Sequence, residues 1–192
     1  MTAEAKNQHE GLPGDFAIWI FILAEMLAFG VLFVAYAFAR AHDVALFNAS
    51  QETLNRTSGA INTLVLITSS YFVARGVDAI KRDLSRDCAW WLGATWLLGA
   101  VFIAIKSAEF HEKFSAGITL STNSFYMFYL ALTFFHFMHV LMGMIILAVV
   151  IVKARRGGYG SRDHAGVETA ASFWHMVDLL WIILFPLIYV IR

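Results

Sequence analysis

With 192 residues, 59% of them hydrophobic and only 15% charged, the chain is too apolar for a water-soluble domain and belongs in a membrane. Its formal net charge is zero and it carries no basic block, which argues against a nucleic-acid partner. A single cysteine, Cys88, excludes an internal disulfide framework and a Cys-based zinc or iron–sulfur site.

The stretch from Met1 to Asp15 is polar and mixed in charge, and the first apolar run is too long for a signal-peptide core. Five segments approach or exceed the roughly 20 residues a membrane span needs: residues 16–39, 57–75, 89–105, 125–152 and 170–191. They are expected to be helices, because backbone facing lipid must satisfy its own hydrogen bonds and barrel strands would be half as long. The links at 40–56, 76–88, 106–124 and 153–169 are too short for a separate domain. The predicted fold is therefore an all-α bundle of five transmembrane helices, one domain over residues 1–192.

Lys and Arg set the expected orientation. The N-terminus, the second link with Arg75, and the fourth link hold nine: Lys6, Arg75, Lys81, Arg82, Arg86, Lys153, Arg155, Arg156 and Arg162. The other side holds five, Arg40, Arg56, Lys106, Lys113 and Arg192, so the N-terminus is expected in the cytoplasm and the C-terminus in the periplasm. Trp19, Trp90, Trp91 and Tyr126 lie near predicted helix ends, where they suit either interfacial anchoring or core packing.

In chain order, helix 1 places Glu25 about 13 Å inside the apolar region, at ~1.5 Å per residue, with no other charge around it. A carboxyl at that depth calls for a protonated form or a nearby donor. Helix 2 carries Asn62, Thr63, Thr68, Ser69 and Ser70, small polar groups that let helices approach and hydrogen-bond. Helix 3 runs into Lys106-Ser-Ala-Glu109-Phe-His111-Glu112-Lys113, whose charge density reads as a solvated helix end. Helix 4 holds His136 and His139 before Gly143. In helix 5 the only ionisable groups between Ala170 and Ile191 are His175 and Asp178, spaced i, i+3 on one helix face.

Glu25, His136, His139, His175 and Asp178 form an intramembrane set on three helices, and such groups are costly in lipid unless they face protein or water. Three readings compete. The histidines and carboxylates are chemically competent metal or haem ligands, although no Glu-x-x-His pair of the di-iron kind is present. They could instead form the proton relay of a small transporter, although Pro186 is the only proline in any span. Or they pair between helices and fix the packing of a non-catalytic subunit. No nucleophile–base pair, phosphate loop or dinucleotide motif marks an active site of the chain's own.

His164, Gly166, Glu168 and Trp174-His175-Met176-Val177-Asp178-Leu-Leu-Trp181 resemble the last helix of subunit III of the cytochrome c oxidase family. Four further blocks are similar in family order: Leu23-Ala-Glu25-Met-Leu-Ala-Phe29; Asn62-Thr63 with Ser69-Ser70; Ala108-Glu109-Phe110-His111-Glu112; and His136-Phe-Met-His139-Val-Leu-Met-Gly143. The resemblance covers Gly14 to Tyr189. Long family members have two more N-terminal helices, and this chain begins at what would be their third. Phe137 between the histidines and the ending through Pro186 look more like the NorE-type accessory proteins of nitric oxide reductases than like quinol oxidase subunits.

The resemblance implies a subunit of the bacterial inner membrane that binds no haem or metal and docks on a catalytic subunit that does. It also implies phospholipid binding and support of the partner's assembly, proton uptake and turnover. Glu25 would be the family's carbodiimide-reactive membrane carboxyl. His175 and Asp178 would shape a helix interface, and Arg75 would suit an anionic lipid head group.

Overall fold

The computed structural model describes residues 15–191 and is helical throughout its regular elements. Six α-helices follow in order: α1 (Phe16–His42), α2 (Val44–Glu52), α3 (Arg56–Lys81), α4 (Ser85–Ser115), α5 (Ser124–Arg155) and α6 (Ala165–Phe185). A π-helical turn, Pro186–Val190, closes the chain. Five of these helices are long and apolar enough to cross a membrane, α6 together with its π turn. Lys6 and Arg192, two of the cations that set the expected orientation, lie outside the described residues, as does Gly14.

The helix starts are chemically marked. Asp15, Asp43, Asn55 and Asn123 each place a side-chain oxygen on a backbone N–H of the first turn they open, on Ala17, Leu46, Ser58 and Tyr126 respectively. Such capping satisfies donors the helix itself leaves orphaned. Pro186 lacks the N–H an α-helix would use, and the chain passes there from α to π geometry.

Helices α3 to α6 form the core. α3 packs on α4 and α6, and α5 completes the circuit by packing on the same two. Helix α1 lies outside this bundle against α5 and α6, and buries only Ile22, Phe29 and Tyr36. That seven-residue spacing marks the centre of the contact stripe, which half-buried Ile18, Phe21, Leu32, Phe33 and Ala39 flank.

Helix α3 runs to Lys81, six residues past its expected end, and α4 starts at Ser85, so the link between them is short. Helix α4 continues to Ser115, absorbing the charged stretch assigned to a link. Helix α6 starts at Ala165, one turn and more ahead of Ala170. The first link contains α2, too short and too polar to register as a span. Gln51 of α2 is fully buried and donates from Nε2 to the carbonyls of Ile188 and Ile191, at 2.9 and 3.1 Å. Arg40 bonds Gln51, Asn48 and the Ile191 carbonyl. Together they satisfy carbonyls that the π turn leaves open. Tyr126, expected at an interface, is instead buried, with its hydroxyl 2.7 Å from Thr53 Oγ1.

Candidate functional site

The site is built around Trp174 of α6. Its indole is fully buried, and glycine lets two neighbouring helices close onto it. A Cβ at Gly99 of α4 would stand 2.8 Å from Trp174 Cη2, and one at Gly143 of α5 would stand 2.9 Å from Cε3. From the third side, Ser69 of α3 accepts the indole Nε1–H at 2.9 Å. One side chain thus fixes the spacing of α3, α4, α5 and α6. Trp181 repeats the arrangement nearer the π turn, donating from Nε1 to Thr63 Oγ1 at 3.0 Å. The polar groups of α3 therefore serve as acceptors for α6 indoles, which would otherwise be orphaned in an apolar core.

On the α1 side of this core, Glu25 meets His139 of α5. Glu25 Oε2 lies 3.0 Å from His139 Nε2, and His139 Nδ1 lies 2.8 Å from the Phe135 carbonyl oxygen. A carbonyl only accepts, so Nδ1 carries a proton. The hydrogen bond across Nε2 and Oε2 then needs one more. Either the imidazole is cationic and donates to a carboxylate, or Glu25 is protonated and donates to a neutral ring. One hydrogen bond with one proton therefore joins the two helices through these side chains. Phe29 and Phe135 hold the ring, with centroids 5.4 and 4.7 Å from that of His139. The Glu25 side chain keeps 20% of its surface exposed, against 7% for His139, so the carboxyl is the accessible member. Glu25 and His139 hydrogen-bond to no other side chain among the described residues, and no third His, Cys, Asp or Glu joins them in a ligand-like cluster.

The remaining members of the intramembrane set do not join this pair. His136 is fully buried between Phe102 and Trp181, and among the described residues neither ring nitrogen has a hydrogen-bond partner. His175 faces outward and shares a 2.6 Å hydrogen bond with Ser70 through Nδ1. Asp178 turns inward, and among the described residues no donor lies within hydrogen-bond distance of its buried carboxyl oxygens. The i, i+3 spacing thus splits the two across the edge of the α3–α6 contact, so they do not pair. Asn62 is likewise buried with its amide unpartnered.

A second buried constellation lies in the charged end of α4. Lys106 is fully buried, and its Nζ lies 3.1 Å from Glu109 Oε2 and donates to Tyr189 Oη at 2.6 Å. Tyr189 and Tyr129 each donate to Glu109 Oε1 at 2.6 Å. The rings of Phe110, Tyr129, Trp181 and Tyr189 surround the ammonium, with centroids 5.1–5.5 Å away. Lys113 is also buried and donates to the Thr53 carbonyl at 2.8 Å. The solvated helix end expected here is therefore an internal ion pair. Residues 106, 109 and 113 fall on one face at i, i+3 and i+7, while His111 and Glu112 on the other face are exposed.

At the end of the bundle carrying the α3–α4 and α5–α6 links, Glu168 Oε1 lies 2.8 Å from Lys81 Nζ and 3.4 Å from His164 Nε2, pinning α6 to α3. Asp83 adopts a positive φ of 60° and binds the opposite link, accepting from the Ser161 backbone N–H at 2.6 Å and the Ser161 hydroxyl at 2.7 Å. Those two donors hold the Asp83 carboxyl below the usual carboxylate range. Arg75 lies exposed with its guanidinium 5.5 Å from the Trp91 ring centre.

Alongside this geometry, the model of the family described as cytochrome c oxidase subunit III matches residues 4–191. The chain is 37% identical over 174 residues to cytochrome c oxidase subunit 3 of Thermostichus vulcanus, covering 90% of this chain and 84% of that protein. It is 33% identical over 193 residues to cytochrome c oxidase subunit 3 of a Synechocystis strain, covering 99% and 82%. Against the cytochrome bo(3) ubiquinol oxidase subunit 3 of Pseudomonas aeruginosa, identity is 25% over 174 residues, covering 91% and 83%.

Proposed function

Because the chain belongs to the cytochrome c oxidase subunit III family, we propose that it serves as subunit III of an oxygen-reducing haem-copper oxidase of the cytochrome c type. It would sit in a bacterial inner membrane on the catalytic subunit, which would carry the haem and copper. The motif details at Phe137 and Pro186 point toward the accessory proteins of nitric oxide reductases. The relatives favour the oxidase branch instead: their names are those of cytochrome c and ubiquinol oxidase subunits, with the higher identities on the cytochrome c side.

The observation that carries the mechanistic part is the Glu25–His139 pair. One proton is shared between a partly exposed carboxyl and a locked imidazole, and α1 presents that carboxyl on the outer side of the bundle. Such a pair joins α1 to α5 through one hydrogen bond whose acid member is the more exposed. It suits a subunit that sustains proton supply to its partner, with phospholipid around the exposed helix faces. It suits an autonomous transporter less well, since no hydrogen-bonded side chain continues from the pair among the described residues.

The test is to tag the chain and purify it gently from its own membranes. A haem-copper catalytic subunit with oxygen-reductase activity should accompany it; nitric oxide reductase subunits in its place would overturn the assignment. In that complex, Glu25→Gln keeps the hydrogen bond but removes the titrating group. The variant complex should assemble normally, yet slow or inactivate sooner under turnover than the wild type. Unchanged turnover and lifetime in both Glu25→Gln and His139→Gln would refute the proton-supply role while leaving the family placement intact.

A further inference from the structure

The outward face shared by α3 and α6 carries an ionisable group at a depth where the other faces carry none. Over the central turns of α1 (23–34), α4 (96–104) and α5 (134–145), every exposed side chain is hydrophobic. On α6, His175 is exposed ten residues, about 15 Å of helix, after the start at Ala165. Ser70, its partner on α3, lies eleven residues before the end of that helix at Lys81. Both therefore sit near the middle of a hydrocarbon layer about 30 Å thick.

Ser70 satisfies one edge of the imidazole only. Thr68 and Ser69 donate their hydroxyl hydrogens to carbonyls of their own helix, at Leu64 and Leu66. Ser70 makes no such bond among the described residues, so its hydroxyl donates to His175 Nδ1 at 2.6 Å. The ring then carries its proton on Nε2, which has no hydrogen-bond partner among the described residues. Hydrocarbon offers that N–H no acceptor, and an ionisable side chain at this depth belongs against protein or water. The flanks are shaped for protein. Ile67, Leu179, Ile182 and Ile183 keep 41–48% of their surface, against 61–69% for Leu23, Leu27 and Val31 on α1. The α3–α6 face is thus a shallow trough with apolar walls and one polar group, the pattern of helix contacts inside membranes.

We propose that a membrane-spanning helix of the catalytic subunit packs in this trough and presents a hydrogen-bond acceptor, a carboxylate, amide or hydroxyl oxygen, to His175 Nε2–H. The apolar walls close around that bond and keep lipid from it. Naming the catalytic subunit as the occupant rests on the proposed function; the face itself follows from the depth and exposure of His175.

A photo-crosslinking residue placed at Leu179 or Ile67, in the full complex in native membranes, reads the occupant directly by mass spectrometry. Both positions should capture the catalytic subunit, while Leu97 and Ile145, exposed on α4 and α5, should capture it far less. His175→Leu should lower retention of the chain in the washed complex roughly threefold to tenfold, the size of one side-chain hydrogen bond between membrane helices. His175→Gln, which keeps an N–H, should recover part of that loss. The amount of full-length chain in the membrane is the folding control, and the crosslinks at Leu179 and Ile67 need no change at His175. Capture of a second copy of this chain, equal capture from Leu97 and Ile145, or no capture together with unchanged retention of His175→Leu would overturn the face. Capture of a nitric oxide reductase subunit at Leu179 would leave the face standing and overturn the oxidase assignment instead.

Discussion

Removing one partner of the Lys106–Glu109 pair tests whether the end of α4 is an internal ionic core. Both side chains are essentially out of contact with solvent, at 0% and 4% exposure. Glu109→Leu leaves the ammonium with one tyrosine oxygen and four ring faces, and it strips the acceptor from Tyr129 and Tyr189. Breaking a buried pair in this way costs roughly 3–5 kcal/mol, because an uncompensated charge remains. Lys106→Met leaves a carboxylate that still accepts two hydroxyls, so the loss should fall toward the lower end of that range. The double variant removes both charges and replaces them with groups of similar volume, which is commonly neutral or stabilising. The cycle therefore predicts two costly single changes and a double change within about 1–2 kcal/mol of wild type, a strong non-additivity. Reversible unfolding in mixed micelles, followed by Trp fluorescence, reads all four proteins. Additive single changes of under about 1 kcal/mol each, as for an exposed ion pair, would refute the reasoning and restore the solvated helix end.

Other consequences are simpler to check. Gly143→Ala should destabilise by about 1–3 kcal/mol through overpacking on Trp174, whereas Gly93→Ala, with nothing within 4 Å of the added Cβ, should be neutral or mildly stabilising. The Asp83 carboxyl is held below its usual range by Ser161, so its hold on the 157–164 link should be complete above about pH 4. That hold should be lost only as pH falls through the depressed value, which hydrogen exchange of the link would show; loosening on alkalinisation instead would contradict it. Reporter fusions after Arg82 and Arg156 should behave as cytoplasmic and one after Arg192 as periplasmic, following the excess of Lys and Arg on the first side; the reverse pattern would invert the orientation.

The five spans were legible because an apolar run of membrane length is rarely anything but a spanning helix. What composition concealed was the environment of charge. Counting Lys106, Glu109 and Lys113 as an interfacial cluster ignored their i, i+3, i+7 spacing, which sets them on one face while His111 and Glu112 take the other. Their aromatic cage comes from Tyr129, Trp181 and Tyr189 on other elements, which no local pattern reports. Glu25 and His139 were each marked as costly in lipid, yet their meeting depends on how α1 lies against α5. The shared face of His175 and Asp178 was right as helix geometry. It failed as a pairing because the edge of the α3–α6 contact passes between them, leaving one exposed and the other buried.

The two buried acid–base pairs differ in what surrounds each. Glu109 accepts two tyrosine hydroxyls and faces an ammonium that is itself caged by four rings. This network of hydrogen bonds and ring contacts locks α4, α5 and the π turn together. The Glu25–His139 contact has one shared proton, one fixed donor on the far side of the ring, and a carboxyl open to the outside of the bundle. Helix α1 carries that carboxyl beside its Ile22–Phe29–Tyr36 contact stripe, which half-buried Ile18, Phe21, Leu32, Phe33 and Ala39 widen on the bundle.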